Sequence, residues 1–529
     1  MAKIFGIDLG TTYSCIAYVD EFGKPVVVNN QDSSPVTPSV VAFEEGGNVI
    51  VGEAAKEVLQ TDPINVCSKI KREMGKRDFS YSAFGTDYSP EVISSIILKK
   101  IAKDASEVDG EEVKDVVITC PAYFGMEERE ATKNAGKLAG LNVLAILNEP
   151  TAAAISYGLK VEEPQTVLVY DLGGGTFDIT IIKVENNTIH VVSTGGNHEL
   201  GGKDWDDVLR NYVIEQYCQA TSENASDIED DIEVMGDLEL KCEKAKKQLT
   251  QKDKATIKVQ TEKVEVTKEK FEELTASLLE STIQLTHETM DNAKGKNVDK
   301  YDKILLVGGS SRMPQVERRL KQEFPDIPIE FCDPDQSVAK GAASYGMNLA
   351  AFGTINEGDN EEDAVKPNEE LQKNPMFQMK GSASPQQINV VNVLSRSVAM
   401  EFADGIFNLV SRDTEIPVTT SVDAGTEVAN QSNVAIRIFE NLVHGDNAKV
   451  EEGQCKLLAE DTLPLNPGLP KGSPIKIDVN ITATGLLTID VTDASDNGKS
   501  RRVEIELKNA LTEKQMEEEK SKLSRLSID

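Results

Sequence analysis

Along the first two thirds of the chain, short apolar runs alternate with stretches in which apolar residues recur every three to four positions. Lys3-Ile4-Phe5-Gly6-Ile7, Val26-Val27-Val28, Ser39-Val40-Val41-Ala42-Phe43, Val116-Val117-Ile118-Thr119-Cys120, Val167-Leu168-Val169-Tyr170 and Ile304-Leu305-Leu306-Val307 read as strands. Val92, Ile93, Ile96, Ile97 and Ile101 fall at helical spacing within 91–105, and 129–139 predicts a helix capped by Gly140. Residues 234–249 predict a charged helix, and 267–294 predicts a long one opening at Thr267. Strand–helix alternation from 1 to 353 argues an α/β domain.

The pattern breaks at Gly353. From there to Ser384 the chain is acidic and polar, as in Asp359-Asn360-Glu361-Glu362-Asp363, and reads as a flexible insert; with the linker it spans 354–394. Beyond it the period becomes two, in Ile406-Phe407-Asn408-Leu409-Val410, Val434-Ala435-Ile436-Arg437-Ile438-Phe439, Ile475-Lys476-Ile477-Asp478-Val479, Leu487-Thr488-Ile489-Asp490-Val491 and Val503-Glu504-Ile505-Glu506-Leu507. Such runs, separated by turn residues, predict an antiparallel β-sandwich over 395–509. Residues 510–529 predict the start of a short, highly charged helix.

Charge narrows the partners. Fifty-six basic residues against 89 acidic ones leave a net charge of −33, which argues against nucleic acid and anionic membrane surfaces. Seven cysteines, at 15, 67, 120, 218, 242, 332 and 455, form no CxxC pair, which fits a reducing compartment without structural zinc. No apolar run approaches the roughly 20 residues that span a bilayer, and the chain opens on a strand with no charged-then-apolar leader. The expectation is a soluble cytoplasmic protein.

The chemistry lies in three strand-to-turn junctions. Asp8-Leu9-Gly10-Thr11-Thr12 follows one apolar strand, Asp171-Leu172-Gly173-Gly174-Gly175-Thr176 a second, and Gly308-Gly309-Ser310-Ser311 a third. Glycines let backbone N–H groups approach an anion closely, and a carboxylate at the same turn can hold a hydrated divalent cation. A lone Gly-Gly-Gly-Thr is more simply a tight hairpin; two matched turns, each with its acid, point to two related lobes closing on one nucleotide.

In order along 1–350, Ile7-Asp8-Leu9-Gly10-Thr11-Thr12-Tyr13-Ser14, Pro121-Ala122-Tyr123-Phe124, Asn148-Glu149-Pro150-Thr151-Ala152-Ala153-Ala154, Asp171-Leu172-Gly173-Gly174-Gly175-Thr176-Phe177-Asp178 and Val307-Gly308-Gly309-Ser310-Ser311-Arg312 resemble the heat shock protein 70 family of DnaK-type chaperones. The resemblance covers nearly the whole first half and continues more weakly through the sandwich. It implies an actin-like α/β ATPase domain of two lobes with a duplicated core, followed by an all-β peptide-binding sandwich. It implies ATP or ADP with Mg²⁺ as cofactors, and allows K⁺.

By the resemblance, Asp8 and Asp171 hold Mg²⁺ through water. Lys71 reaches the γ-phosphate and the attacking water, Glu149 orients water near the metal, and Asp178 is the base or water-orienting partner. Without it, Lys71 is a solvated lysine and Glu149 a helix-start carboxylate. Gly10, Thr11, Thr12, Tyr13, Gly173, Gly174, Gly175 and Thr176 face the phosphates, with Gly201 and Gly202 as a further phosphate-side turn beside Asp204. Glu243, Lys246, Lys247 and Thr250 hold the adenosine, opposite Gly308, Gly309, Ser310, Arg312 and Asp335; read alone, 243–250 is an exposed lysine-rich helix face. Lys247 and Thr250 stand where the family usually carries arginine and serine, and an ammonium does not stack on a base as a guanidinium does. Pro121 and Arg129 resemble the relay to the second domain, although Pro121 also serves simply to end a strand. Met400, Phe402, Val434 and Ile436 are the candidates for the peptide cleft, with core packing as the alternative for each.

Four departures accompany the resemblance: a short segment between Arg77 and Pro90, the acidic insert, a linker reading Ile388-Asn389-Val390-Val391-Asn392-Val393 in place of a leucine-rich acidic run, and only the start of a helical lid, 511–526. Weaker linker side chains predict looser coupling, and a missing lid predicts faster peptide release. The expected function is an ATP-dependent chaperone that binds extended apolar segments, aided by a J-domain co-chaperone and a nucleotide exchange factor. The alternatives are a non-hydrolysing or lidless relative acting as holdase or exchange factor, and a sugar kinase or actin-like filament ATPase. The period-two half argues against the last two.

Overall fold

The computed structural model describes residues 3–158, 164–353, 365–378, 387–483, 485–495, 502–504 and 513–529. Two sheets of the first half share one strand logic. β1 (Ile4–Asp8) runs antiparallel to β2 (Tyr13–Val19), which pairs with β3 (Pro25–Val27). A small sheet beside it pairs β4 (Val40–Phe43) with β5 (Asn48–Val51). On its other side β1 runs parallel to β6 (Asp115–Cys120), and β6 to β7 (Asn142–Asn148). In the second sheet β8 (Gln165–Leu172) is antiparallel to β9 (Phe177–Glu185), and β9 to β10 (Thr188–Asn197). There β8 runs parallel to β11 (Lys303–Val307), and β11 to β12 (Ile329–Phe331). The orders β7-β6-β1-β2-β3 and β12-β11-β8-β9-β10 therefore match strand for strand, and the match carries Asp8 and Asp171 to equivalent places at the ends of β1 and β8.

Helices cover both sheets. α1 (Pro90–Asp109) starts where Ser89 accepts the Val92 N–H, and it buries all five of the predicted apolar positions. α2 (Met126–Leu138) ends before Gly140, whose φ of +86° suits glycine. α3 (Glu149–Ser156), α4 (Gly202–Thr221) and α5 (Ile232–Leu249) follow. The helix predicted over 267–294 is two, α6 (Lys268–Leu274) and α7 (Ala276–Lys294). The break falls at Thr275, whose buried hydroxyl turns back to the Phe271 carbonyl at 2.8 Å while its ψ of 7° leaves the helical range. α8 (Ser337–Phe352) is buried along most of its length and wedges between the sheets. A Cβ at Gly341 would lie 1.7 Å from the Ala152 carbonyl oxygen, and one at Gly6 would lie 2.0 Å from the Ala343 nitrogen, so the spine packs backbone on backbone.

One part of the acidic stretch departs from what its composition suggests. Residues 354–364 and 379–386, including the Asp359–Asp363 run, lie outside the described residues. Between them, 365–378 is a built part of the first half: Leu371 and Phe377 are buried with Ile4, Cys15 and Met347, and Asn374 donates to the Asp20 carbonyl at 3.0 Å. Two buried apolar residues suffice to pin a segment that reads as polar overall.

The linker is a strand. β13 (Asn389–Val393) adds parallel to the edge of β10, pairing Thr188 with Asn389 and His190 with Val391. Asn348 of α8 brackets Ile388 with two bonds of 2.8 and 2.9 Å. This attachment combines backbone ladder bonds with the Asn348 side chain, and Ile388 and Val390 pack partly against the cluster of Val167 and Leu305.

Beyond it two sheets face each other across one core. β14 (Ser397–Phe402), β15 (Gly405–Val410), β17 (Asn433–Asn441) and β18 (Cys455–Pro464) belong to one; β16 (Val418–Gly425), β19 (Pro474–Ile481) and β20 (Leu487–Asp493) belong to the other. Ile475, Ile477, Val479, Ile489 and Val491 meet Val398, Met400, Leu409, Ile436 and Ile438. Of the predicted run 503–507, only 503 and 504 are described, within the strand Arg502–Glu504.

The last segment, α9 (Glu513–Leu523) and β21 (Ser527–Ile528), lies on the first half beside β5 and not over the sandwich. The described residues of the expected lid start therefore pack elsewhere, because Leu523 and Ile528 find an apolar site with Phe43 and Val49. No helix among the described residues is long and apolar enough to cross a membrane.

Phe377→Ala should lower the urea midpoint of the first unfolding transition, by a loss of about 3–5 kcal/mol. A change within error would mean that 365–378 does not hold the first half together.

Candidate functional site

The carboxyl ends of β1, β8 and β11 open into a cavity of about 510 Å³ between the two sheets. Asp8, Gly10, Thr11, Thr12, Tyr13, Lys71, Glu149, Asp171, Gly173, Gly174, Thr176, Glu243, Lys246, Lys247, Thr250, Gly308, Gly309, Ser310, Arg312 and Asp335 line it, so the structure gathers most of the sequence-derived nucleotide set. Gly175, Gly201, Gly202 and Asp178 are not among the lining residues.

The glycine turns touch. A Cβ at Gly174 would sit 2.0 Å from Thr12 Oγ1, and one at Gly175 would sit 2.3 Å from Thr11 Cγ2. Gly308, at φ +79°, brings the third turn so close that a Cβ would meet Asp171 Oδ1 at 2.4 Å. Gly201 packs on the Gly175–Thr176 peptide, and α4 starts there, with the Gly202 and Lys203 N–H groups bonded to the Gly173 and Gly174 carbonyls at 3.0 and 2.8 Å. Any side chain at these turns would part the two faces of the clamp.

Acid dominates the floor. Glu149, Asp171 and Asp178 are buried, Asp8 is half-buried beside them, and Lys71 is the buried cation set among them. Lys71 sits in the short turn Ile70–Glu73 behind Lys69, a non-glycine residue at φ +61°, and pairs with Glu149. Burial, then Glu149, pushes Asp8 up to about 7. Burial and the neighbouring Glu149, Asp178 and Asp8 hold Asp171 well above the ordinary carboxylate range; burial and Glu149 do the same for Asp178. Burial works against the charge on Lys71, but Glu149 and Asp8 more than offset it and raise its pKa. Asp178 accepts the Ala122 N–H at 2.9 Å through one oxygen, while its other oxygen is buried with no hydrogen-bond partner. Such a donor set suits a cation. Among the described residues no group of three or more His, Cys, Asp or Glu side chains is placed to hold a metal ion directly.

The other end of the cavity is basic and hydroxyl-rich. Tyr13 Oη meets Lys56 at 2.9 Å, Lys247 at 2.8 Å and Glu243 at 3.0 Å, with the Lys247 ammonium 4.7 Å from the Tyr13 ring centre. Lys246 reaches the Gly202 carbonyl and Asp206, both at 2.7 Å; Thr250 bonds the Lys247 carbonyl at 2.7 Å. Arg312 pairs with Asp335 at 2.6 Å at the exposed rim. Lys56–Glu243 at 2.5 Å, Lys69–Glu239, and Arg72–Asp204 at 2.7 Å span the cleft. Sequence reading missed Lys56, Lys69 and Glu239: each partner lies far along the chain, and one sequence carries no signal that joins them.

The relay candidates lie on a continuous path. Pro121 follows β6, and the loop it opens carries Ala122, bonded to Asp178. Arg129 donates to the Phe124 carbonyl at 3.0 Å and pairs with Asn148. From the sandwich side Ser395 Oγ donates to the same Phe124 carbonyl at 2.8 Å, and the Met126 N–H donates to Glu440 at 3.0 Å. Arg396 joins Glu128 at 2.9 Å to Glu440 at 3.2 Å. Of the cleft candidates, Met400 and Ile436 are buried in the sandwich core, so in this arrangement they are packing residues; Phe402 and Val434 are half-buried at its margin.

Matched sheets closing on an acid-floored, glycine-lined cleft, with a β-sandwich docked beside them, define a two-lobed cleft protein with an attached β-sandwich domain. The Hsp70 protein family model matches residues 4–84, 78–357 and 378–526. The chain belongs to the Hsp70 family, whose members are ATP-binding chaperones that act in protein folding.

Glu243 provides a check on cleft closure. Burial opposes its charge, but Lys56 and Lys247 lower it from 4.5 to about 2. A carboxylate depressed in this way adds stability above pH 4.5, and that contribution disappears as pH falls toward 2. Glu243→Gln should therefore melt lower at neutral pH and show a flatter acid limb in differential scanning calorimetry; an acid limb as steep as the native one contradicts the tie.

Proposed function

We propose that the chain is an ATP-dependent chaperone that hydrolyses ATP in its actin-like first half, about 1–353, and uses the hydrolysis to control capture of extended apolar peptide segments by the sandwich, about 395–509. The observation that carries this reading is the buried acid floor around Lys71, with the unpartnered oxygen of Asp178 beside it. Phosphoryl transfer to water needs positioning and charge neutralisation more than covalent chemistry.

In this reading the glycine turns hold the phosphates through backbone N–H groups, helped by Thr11, Thr12 and Thr176. Lys71, fixed by Glu149, faces the γ-phosphate. The free oxygen of Asp178 accepts a hydrogen bond from the attacking water and so orients it. Mg²⁺ accompanying ATP, held through water by Asp8 and Asp171, would neutralise phosphate charge and polarise the transferred group; K⁺ suits the same acidic surroundings. Glu243, Lys246, Lys247 and Thr250 take the adenosine end, with Lys247 a weaker platform than arginine.

Coupling follows the bonded path. A shift of Asp178 as the phosphate leaves is felt at Ala122, and through Phe124 at Ser395 and Glu440. That moves the sandwich between two arrangements of different peptide affinity. Phe402 and Val434, at the margin of the core, are the best placed of the four cleft candidates to meet a peptide side chain. A J-domain co-chaperone and a nucleotide exchange factor are the expected protein partners, and the cytoplasm the expected compartment. A sugar kinase would need a hydroxyl-substrate pocket of its own, and a filament ATPase has no use for the sandwich.

Single-turnover ATP hydrolysis tests the reading, with and without a short apolar peptide. Lys71→Ala should be on the order of a hundredfold slower than the native chain, and peptide should change the native rate. Equal rates for native and variant would refute hydrolysis at this site; a native rate indifferent to peptide would refute the coupling.

A further inference from the structure

The segment 513–529 is bound to the first half as a guest would be. β21 adds parallel to the outer edge of β5, pairing Ser527 with Asn48 and Ile528 with Val49. Three ladder bonds fix it: Ser527 N–H to the Gly47 carbonyl at 3.0 Å, Asp529 N–H to Val49 at 2.9 Å, and Val51 N–H to Asp529 at 3.2 Å. Lys103 of α1 donates to the Ile528 carbonyl at 3.2 Å, and Lys522 to the Asp87 carbonyl at 3.4 Å.

Side chains add a pocket to the edge. Leu523 and Ile528 are buried in the same cluster as Phe43, Val49, Tyr88 and Ile97, and Met516 and Leu526 pack partly against it. The rings of Tyr81 and Tyr88 stack on Phe43, with centroids 5.7 and 4.6 Å apart. Tyr81 and Tyr88 belong to the hairpin Tyr81–Ala83 and Thr86–Tyr88, so the short segment after Arg77 builds part of the floor on which 513–529 rests. Backbone pairing along an edge, with pockets for alternate side chains, is how a sheet takes an extended segment.

The attachment also has a mechanical consequence. The sandwich enters from β13, which is paired to β10 of the second sheet, and leaves toward β21, which is paired to β5 beside the first. In the chain it is thus flanked by two strands paired on opposite sides of the cleft.

We propose that the β5 edge with the Phe43–Tyr88 pocket is a peptide-binding groove whose occupant is 523–528 of this chain, a Leu-x-x-Leu-x-Ile segment. Its occupancy clamps the sandwich to the first half, and the sandwich separates fully only after β21 peels away. The groove is independent of the nucleotide cleft, so the inference stands or falls apart from the proposed ATPase.

Hydrogen exchange by mass spectrometry on the full chain is the test. Peptides covering 45–52 and 520–529 should exchange on the order of a hundredfold more slowly than an unstructured chain. The full chain carrying Leu523→Asp and Ile528→Asp should lose that protection. It should also exchange faster at 392–396 and 437–441, where the sandwich meets the first half, while 165–172 stays unchanged. A fluorescein-labelled synthetic peptide of residues 513–529 should bind this variant and restore slow exchange at 45–52. Unprotected amides at 520–529 in the native chain would overturn the groove, and so would a folded variant that ignores the peptide. Unchanged exchange at 392–396 and 437–441 in a variant that has lost protection at 45–52 would overturn the clamp. Should the variant fail to fold, the native chain decides: slow exchange at 520–529 supports the groove and fast exchange removes it.

Discussion

Four carboxylates, three of them buried, gathered around one buried lysine are the constraint on which the rest of this structure depends. Asp8, Glu149, Asp171 and Asp178 converge from four separate chain segments, and Lys71 can pair with only one of them closely. Removing that much like charge from water is unfavourable unless protons or cations intervene, and the raised pKa values of Asp8, Asp171 and Asp178 express this. In the proposed reading a metal-bound polyphosphate would resolve the imbalance from both directions, its cation meeting the acids and its anion the glycine turns. The touching turns at Gly174 and Gly175, and the ion pairs of Lys56 and Arg72 across the cleft, keep the two sheets near enough for one ligand to satisfy both.

That tension is positioned to be transmitted. One oxygen of Asp178 belongs to the acid floor and the other holds the loop after Pro121, whose Phe124 carbonyl receives Ser395 of the sandwich. A second contact sits on the other sheet, where the buried Asp413 accepts from Ser193 Oγ at 2.9 Å and from the Thr194 N–H at 3.1 Å. With β13 on β10, the sandwich therefore meets both sides of the cleft. A change in the angle between the sheets cannot leave all of these contacts intact, and that is the physical basis of the proposed coupling.

Much of this was legible in the sequence where the signal is local. Strand positions followed from apolar runs, and the matched Asp-Leu-Gly turns revealed the duplication before any sheet order was known. The three turns of the cleft could be named because glycines, acids and hydroxyls cluster within them, whereas Lys71, Glu149, Asp178 and the 243–250 set came only from the family resemblance. Tertiary effects were not legible. Nothing local marks Thr275 as a helix break, since its hydroxyl competes with the helix only once it is buried. Composition hid the anchoring of 365–378 by Leu371 and Phe377, and the linker was judged by its side chains alone because strand addition depends on the open edge of β10. Lys56, Lys69 and Glu239 act through partners more than a hundred residues away. Met400 and Ile436 have the residue types of a cleft wall, yet burial assigns them to the core.

The central claim is that the acid floor and the glycine turns form a single magnesium–ATP site. Calorimetric titration of the native chain with ATP, in Mg²⁺ and again in EDTA, tests it most directly beside the same titrations of Asp171→Asn. The account predicts tight binding by the native chain in Mg²⁺, a loss of at least about tenfold in EDTA, and a much smaller dependence on Mg²⁺ in the variant. Equal affinity with and without Mg²⁺ in the native chain would contradict it.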